Sequence, residues 1–170
     1  LAVQLDAGEG ASVPRASDPV TGETVDSAAA GGAVLHRRAG QPYRWLPVPE
    51  RRGYVFQGWS TDQAHPGGVP YVSADTLVAR TAEGNNAVVL YAQWAPMRYT
   101  VVYIDRPDGH GSKVEQAVTF GAATTMFTWQ EACEAAAASG GALSNPTGKQ
   151  FAGWADVRNY DGKNGRWFAG

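Results

Sequence analysis

Short hydrophobic runs separated by glycine- and proline-rich stretches make up most of this chain. The strongest run covers 88–94, where Val88, Leu90, Ala92 and Trp94 share one face and β-branched and aromatic residues dominate. Residues 99–104 form a second such run, and 54–56 leads into Gly58 and Trp59 to form a third. Because glycine and proline punctuate these runs as turn residues do, the pattern predicts many short strands.

A single segment carries a clear helical signal. Thr128 and Glu131 form a capping box, in which each side chain satisfies a backbone N–H of the first turn. The alanine-rich stretch 132–138 has high helix propensity, and Ser-Gly-Gly at 139–141 supplies a C-terminal stop. We therefore predict a helix at about 128–139. Its predicted packed face comprises Trp129, Ala132, Cys133 and Ala136.

The chain also repeats itself. Phe-x-Gly-Trp occurs at 56–59 and again at 151–154. The run 3–6 resembles 102–105, and 34–40 parallels 118–121. These matches predict two diverged copies of one module, covering 1–95 and 96–170, with the boundary near Pro96 because proline disfavours strand continuation. The spacing places an extra loop at about 14–32 in the first copy and the helix in the second.

Composition narrows the class of protein. Hydrophobic residues make up 44% of the chain, enough for a packed core. The formal net charge of -2 gives no electrostatic reason to expect nucleic acid as a partner. No apolar run approaches the ~20 residues of a membrane span, so we expect no membrane insertion within this segment. The lone Cys133 allows no disulfide within the chain.

Candidate chemistry is sparse. The three histidines, His36, His65 and His110, are not at metal-ligand spacing, and no nucleophile elbow or phosphate loop occurs. We therefore predict no catalytic residue, cofactor or metal. The chain has more aromatic residues than two small cores need. Those that remain either pack internally or form an exposed recognition patch. The candidates for partner binding are Tyr43, Trp45, Tyr71, Tyr160 and Trp167, with Trp45 and Trp167 favoured as exposed.

Several motifs in a fixed order carry a family resemblance. Gly40-Gln41-Pro42-Tyr43 is followed by a proline-containing stretch, by Arg52-Gly53-Tyr54-Val55-Phe56-Gln57-Gly58-Trp59, and by a closing Leu90-Tyr91-Ala92-Gln93-Trp94. Over nearly all of 1–95 this closely resembles the Listeria–Bacteroides repeat, the internalin-B B-repeat family. The second copy keeps Phe151-Ala152-Gly153-Trp154 but has no closing Leu-Tyr-Ala-x-Trp before 170, which leaves its completeness open.

The resemblance implies an α+β, β-rich fold of two tandem small β-grasp-like (ubiquitin-like) modules, the second with an inserted short helix. In this chain, the residues of the family's structural motif would be Gly58, Trp59, Leu90, Tyr91, Trp94, Gly153 and Trp154. It also implies a non-catalytic extracellular module of a bacterial cell-surface protein, either wall-attached or secreted. Such a module acts as stalk, spacer or adhesion unit, with neighbouring repeats and a surface protein or glycan as partners.

Two alternatives remain beside this interpretation. One is a carbohydrate- or host-protein-binding module that uses exposed aromatics, and the other is an accessory domain of a secreted enzyme. Since the chain starts at Leu1, we expect targeting segments to lie outside it.

Overall fold

The computed structural model describes residues 1–25, 32–79, 87–106, 110–156 and the backbone of 167–169. The chain is α+β and rich in small sheets, with one short helix among the described residues. It divides into two units, Leu1–Met97 and Arg98–Gly170, next to the predicted boundary at 95/96. The first unit holds strands β1 to β8, and the second holds β9 to β12 and the helix α1.

The elements follow one another in chain order. They are β1 (Ala2–Asp6), β2 (Ala11–Ser12), β3 (Ala16–Ser17), β4 (Thr24–Val25), β5 (Gly32–His36), β6 (Glu50–Arg51), β7 (Tyr54–Ser60), β8 (Ala87–Pro96), β9 (Arg98–Ile104), β10 (Lys113–Thr119), α1 (Trp129–Ala138), β11 (Gly153–Ala155) and β12 (Trp167–Ala169). The runs predicted at 54–59, 88–94 and 99–104 therefore correspond to β7, β8 and β9.

The first unit is built on a four-stranded mixed sheet in the order β5-β1-β8-β7. Strands β1 and β8, the first and last of the unit, lie side by side and parallel, with Val3 opposite Val88 and Leu5 opposite Leu90. Both outer strands run antiparallel to their inner neighbours. A parallel pair cannot be joined by a hairpin, so the chain between β1 and β8 must cross the sheet.

That crossing segment, 37–49, supplies the other wall of the core. Tyr43 and Pro47 from it are fully buried against the apolar face of the sheet, which presents residues such as Leu5 and Leu90. The segment contains no helix. Its prolines set extended backbone angles and remove donors, which suits a chain that lies across a sheet without adding a strand to it.

The insertion predicted at 14–32 contains a small hairpin, formed by β3 and β4. Asp18 closes it by accepting hydrogen bonds from the backbone N–H of Val20 at 2.8 Å and the hydroxyl of Thr21 at 2.8 Å. These bonds hold the pKa of the Asp18 carboxyl below its ordinary value, the Val20 N–H having the largest effect. Residues 26–31 of the insertion lie outside the described part of the chain.

The second unit places α1 beside the antiparallel pair β9–β10. The capping box is confirmed: the Thr128 hydroxyl accepts from the Glu131 N–H, and the Glu131 carboxylate accepts from the Thr128 N–H. Ala132 and Ala136 are buried in a cluster with Tyr103, while Cys133 is half-buried. Strand β12 pairs with β11, so the chain near 167 forms a strand, although the side chains there are outside the description.

The buried positions of β9 are offset by one residue from the sequence match between 3–6 and 102–105. Aligning 3–6 with 102–105 equates the inward-facing Val3 and Leu5 with Val102 and Ile104. In the structure Tyr103 is buried and Val102 is 44% exposed. Because strand side chains alternate between faces, a shift of one position reverses them all. The alternation along β9 therefore turns Tyr103, and not Val102, toward the core of its unit.

Candidate functional site

The Phe-x-Gly-Trp segment of the first unit ties the sheet to the crossing segment. Trp59 is 2% exposed, and its indole N–H donates to the Pro47 carbonyl at 2.9 Å. Phe56 lies edge-on to Trp59, with ring centroids 5.5 Å apart. A buried indole needs such an acceptor, so this bond fixes both the tryptophan and the segment that covers it.

The second unit repeats this arrangement on different neighbours. The Trp154 indole N–H donates to the Phe127 carbonyl at 2.7 Å, on the segment that enters α1. Phe151 again lies edge-on to the tryptophan, at 4.8 Å. Tyr103 completes the cluster with a ring centroid 4.8 Å from Trp154. The motif therefore has the same mechanical task in both units.

The glycine before each tryptophan has a backbone conformation that other residues avoid. Gly58 has φ of 152° and Gly153 has φ of 156°. Gly58 follows a register irregularity in the pairing of β7 with β8, where Phe56 and Gly58 face consecutive residues of β8. A β-carbon on Gly58 would lie 2.5 Å from Cγ of Tyr71, because that ring lies directly on the glycine backbone.

The closing strand β8 contributes three of the predicted motif residues. Leu90 is fully buried, and Tyr91, next along the strand, is half-buried. The half-buried Trp94 donates its indole N–H to the Ala7 carbonyl at 2.9 Å and lies edge-on to Phe56. These side chains hold the sheet together.

The predicted binding aromatics do not form one patch. Tyr43 is 1% exposed, so of the two alternatives for this candidate binding residue the structure shows internal packing and contradicts a place in a recognition patch. The crossing segment turns it into the core, where burial raises the pKa of its hydroxyl. Tyr71 is 40% exposed and stacks on His65 at 4.2 Å. Trp45 is half-buried. Tyr160 and the side chain of Trp167 lie outside the described residues.

Trp45 lines a small cleft of about 280 Å³, which we call the apolar cleft. Its other walls include Leu46, Phe56, Val72 and Ala74. A larger polar cleft, of about 700 Å³, is lined by Arg37, Arg38 and Arg44 together with Asp18, Glu23, Gln41 and other residues. Arg44 lines both clefts.

Sequence reasoning missed the arginines at these clefts. Arg37 donates from Nε to the Tyr43 carbonyl at 3.0 Å and from Nη2 to the Trp45 carbonyl at 3.4 Å, and it pairs with Glu23. It therefore clamps the start of the crossing segment. The only sequence signal was the Arg-Arg pair at 37–38 immediately after an apolar strand.

Within the described residues, no three His, Cys, Asp or Glu side chains come together as a metal site would require. His65 makes a 3.0 Å hydrogen bond through Nδ1 to the buried Ser60 hydroxyl. His36 lines the polar cleft. No helix in the described part of the chain has the length and apolarity to cross a membrane.

Comparison with known proteins gives no relative: no family model, curated protein or solved structure matches this chain.

Proposed function

We propose that this chain is a non-catalytic, extracellular repeat module of a bacterial cell-surface protein, acting as a spacer and as an adhesion or protein-interaction unit. The observation that carries the proposal is the same Phe-x-Gly-Trp construction in both units, down to the indole bond to an upstream carbonyl. Tandem copies of one packing unit are typical of proteins that extend a surface over distance.

The finer fold assignment belongs to the same proposal: each unit is β-grasp-like. Support comes from the order β5-β1-β8-β7 of the first unit, in which the first and last strands form a central parallel pair. The crossing segment 37–49 covers one face of this sheet, and in the second unit α1 packs beside β9 and β10. These features also agree with the resemblance to the internalin-B B-repeat family.

Surface display is tested by protease shaving of intact cells that carry the full-length protein. Peptides from this chain should be released before cell lysis and identified by mass spectrometry, with a cytoplasmic enzyme as the control. Release only after lysis would contradict an extracellular location.

The spacer role is tested by stretching the two-unit chain in a force spectrometer. Units Leu1–Met97 and Arg98–Gly170 should unfold in separate events that release at most about 35 nm and about 26 nm of chain. Unfolding at negligible force would contradict a load-bearing spacer.

An alternative is a carbohydrate- or host-protein-binding module, and the position of Trp45 in the apolar cleft favours it. Trp45 fluorescence should then respond to a ligand. Titration with glycans and matrix proteins, repeated on Trp45→Phe to isolate that signal, tests this role. An unchanged spectrum across the panel would count against it.

A further inference from the structure

Arg44 has a backbone conformation that is rare for a residue with a β-carbon. Its φ is 66°, and the Trp45 N–H donates to the Tyr43 carbonyl at 2.8 Å, so the chain makes a three-residue turn around it. Such a turn with positive φ is strained for any L-residue other than glycine, asparagine or aspartate. An arginine here is therefore unexpected on conformational grounds.

The surroundings hold this turn in place. The Arg44 N–H donates to the Ala74 carbonyl at 2.6 Å. Arg37 binds the carbonyls on both sides, those of Tyr43 and Trp45. A strained backbone conformation that several hydrogen bonds hold in place is typical of functional sites, where a side chain must be held in one position.

The side chain of Arg44 contributes no contact that explains the strain. Among the described residues, neither the exposed Arg44 nor the exposed Arg38 makes a side-chain hydrogen bond or ion pair. The acidic residues of the polar cleft are already engaged, since Asp18 accepts from Val20 and Thr21, and Glu23 pairs with Arg37. The charge left available at these clefts is positive.

We propose that the two clefts together bind an extended peptide segment of a partner protein that carries a bulky apolar side chain next to carboxylates. The apolar side chain fills the apolar cleft, and the carboxylates pair with Arg44 and Arg38, whose planar guanidinium groups suit them. This inference deepens the proposed function, on which it rests for the existence of a partner protein.

The lining of the apolar cleft favours a peptide over an acidic sugar. Apart from Arg44, the cleft is lined by apolar residues, glycine and two tryptophans. The indole N–H of Trp59 is already bonded to the Pro47 carbonyl, which leaves that of the half-buried Trp45 as the indole donor available there. Sugar hydroxyls placed there and out of reach of Arg44 and the Trp45 indole would lose water without gaining partners, which is unfavourable. An aliphatic or aromatic side chain loses nothing of that kind and gains contact with Leu46, Phe56 and Val72.

The test is an unbiased selection of random displayed peptides on the purified two-unit protein. We expect enrichment of peptides that combine a bulky apolar residue with adjacent acids. Fluorescence polarisation then measures their affinity for Arg44→Glu and for Arg52→Glu, a matched charge reversal on the turn before β7, which lines neither cleft. Arg44→Glu should weaken binding at least about tenfold, and Arg52→Glu by less than about twofold.

Arg44→Gly separates binding from folding. Glycine relieves the strained turn, so the melting temperature should stay equal or rise while peptide binding is lost. A lower melting temperature would assign Arg44 a structural task and overturn the inference. Three other results would also overturn the inference. The enriched peptides could lack acidic residues, or peptide binding could survive Arg44→Gly. An acidic oligosaccharide such as heparin could also bind at these clefts while peptides do not.

These outcomes are distinguishable from failure of the proposed function. Shaving and stretching do not depend on Arg44. Surface display with no peptide binding would overturn the inference alone, whereas a cytoplasmic location would overturn the proposed function and leave the binding measurement standing.

Discussion

Substituting alanine for Gly58 tests the contact that joins the Gly-Trp motif to the 61–73 loop. The new β-carbon would lie 2.5 Å from Cγ and 2.8 Å from Cβ of Tyr71, closer than atoms pack. The backbone there has φ of 152°, which L side chains rarely adopt. Either Tyr71 leaves its place or β7 shifts against β8.

The cost follows from these two effects. A residue other than glycine in such a conformation costs about 1–3 kcal/mol. Displacing Tyr71 also gives up its stack on His65, and an aromatic pair contributes about 0.5–1.5 kcal/mol. We expect Gly58→Ala to lower the free energy of unfolding of the first unit by about 2–4 kcal/mol, a large share of the 5–15 kcal/mol typical of a domain.

Amide hydrogen exchange measured by NMR reports this loss unit by unit. Amides of β1 and β8 should lose protection, while those of β9 and β10 in the second unit serve as an internal reference. Gly10→Ala is the matched control, because Gly10 has φ of 70° but open space around a β-carbon. It should cost only about 1 kcal/mol.

A double-mutant cycle with Tyr71→Ala isolates the steric part. Without the ring the clash disappears, so Gly58→Ala combined with Tyr71→Ala should cost about 1–2 kcal/mol less than the sum of the single changes. Strict additivity, or a loss below about 0.5 kcal/mol for Gly58→Ala alone, would refute the reasoning that Tyr71 lies on the glycine backbone.

Three further predictions follow from single contacts. Because hydrogen bonds hold the pKa of Asp18 below its ordinary value of about 3.9, the stability they contribute is present above that pH and is lost as the pH falls through the lowered pKa. The unfolding midpoint of the wild type should therefore fall more steeply than that of Asp18→Asn between about pH 5 and about pH 2. Parallel curves for the two proteins would contradict this. Thr128→Ala removes the acceptor of the Glu131 N–H and should cost about 1 kcal/mol, measured as lost protection of α1 amides, with an unchanged helix as the contrary result. Trp154→Phe leaves the Phe127 carbonyl without its donor and should cost about 1–3 kcal/mol in the second unit only; an equal loss in the first unit would contradict the division of the chain.

Features that depend on neighbours in sequence were predictable. The helix expected at about 128–139 is α1, Trp129–Ala138, because its capping box and its stop are made within a few residues. The run at 88–94 lies within β8 because alternating β-branched and aromatic residues favour a half-buried strand. The two Phe-x-Gly-Trp segments pack alike because the same side chains recur at the same spacing.

The candidate site was less predictable. For Tyr43 the sequence left packing in the core and exposure in a recognition patch both open. The structure buries it, and this outcome depends on where the crossing segment meets the sheet. The strain at Arg44 depends on Arg37 and on Ala74, which reach it from other parts of the chain. No pattern around 44 predicts a positive φ for an arginine.

By itself, then, the amino-acid sequence located the runs that become β7, β8 and β9, the helix and the two Gly-Trp motifs, because short-range hydrogen bonds and side-chain periodicity decide these. Only the tertiary structure decided that β1 lies parallel to β8, that Tyr103 rather than Val102 faces inward, and that Arg44 borders both clefts. These outcomes depend on which arrangement of the whole chain buries the most apolar surface while leaving few buried polar groups unpaired. That balance is summed over residues far apart in sequence, so no local pattern contains it.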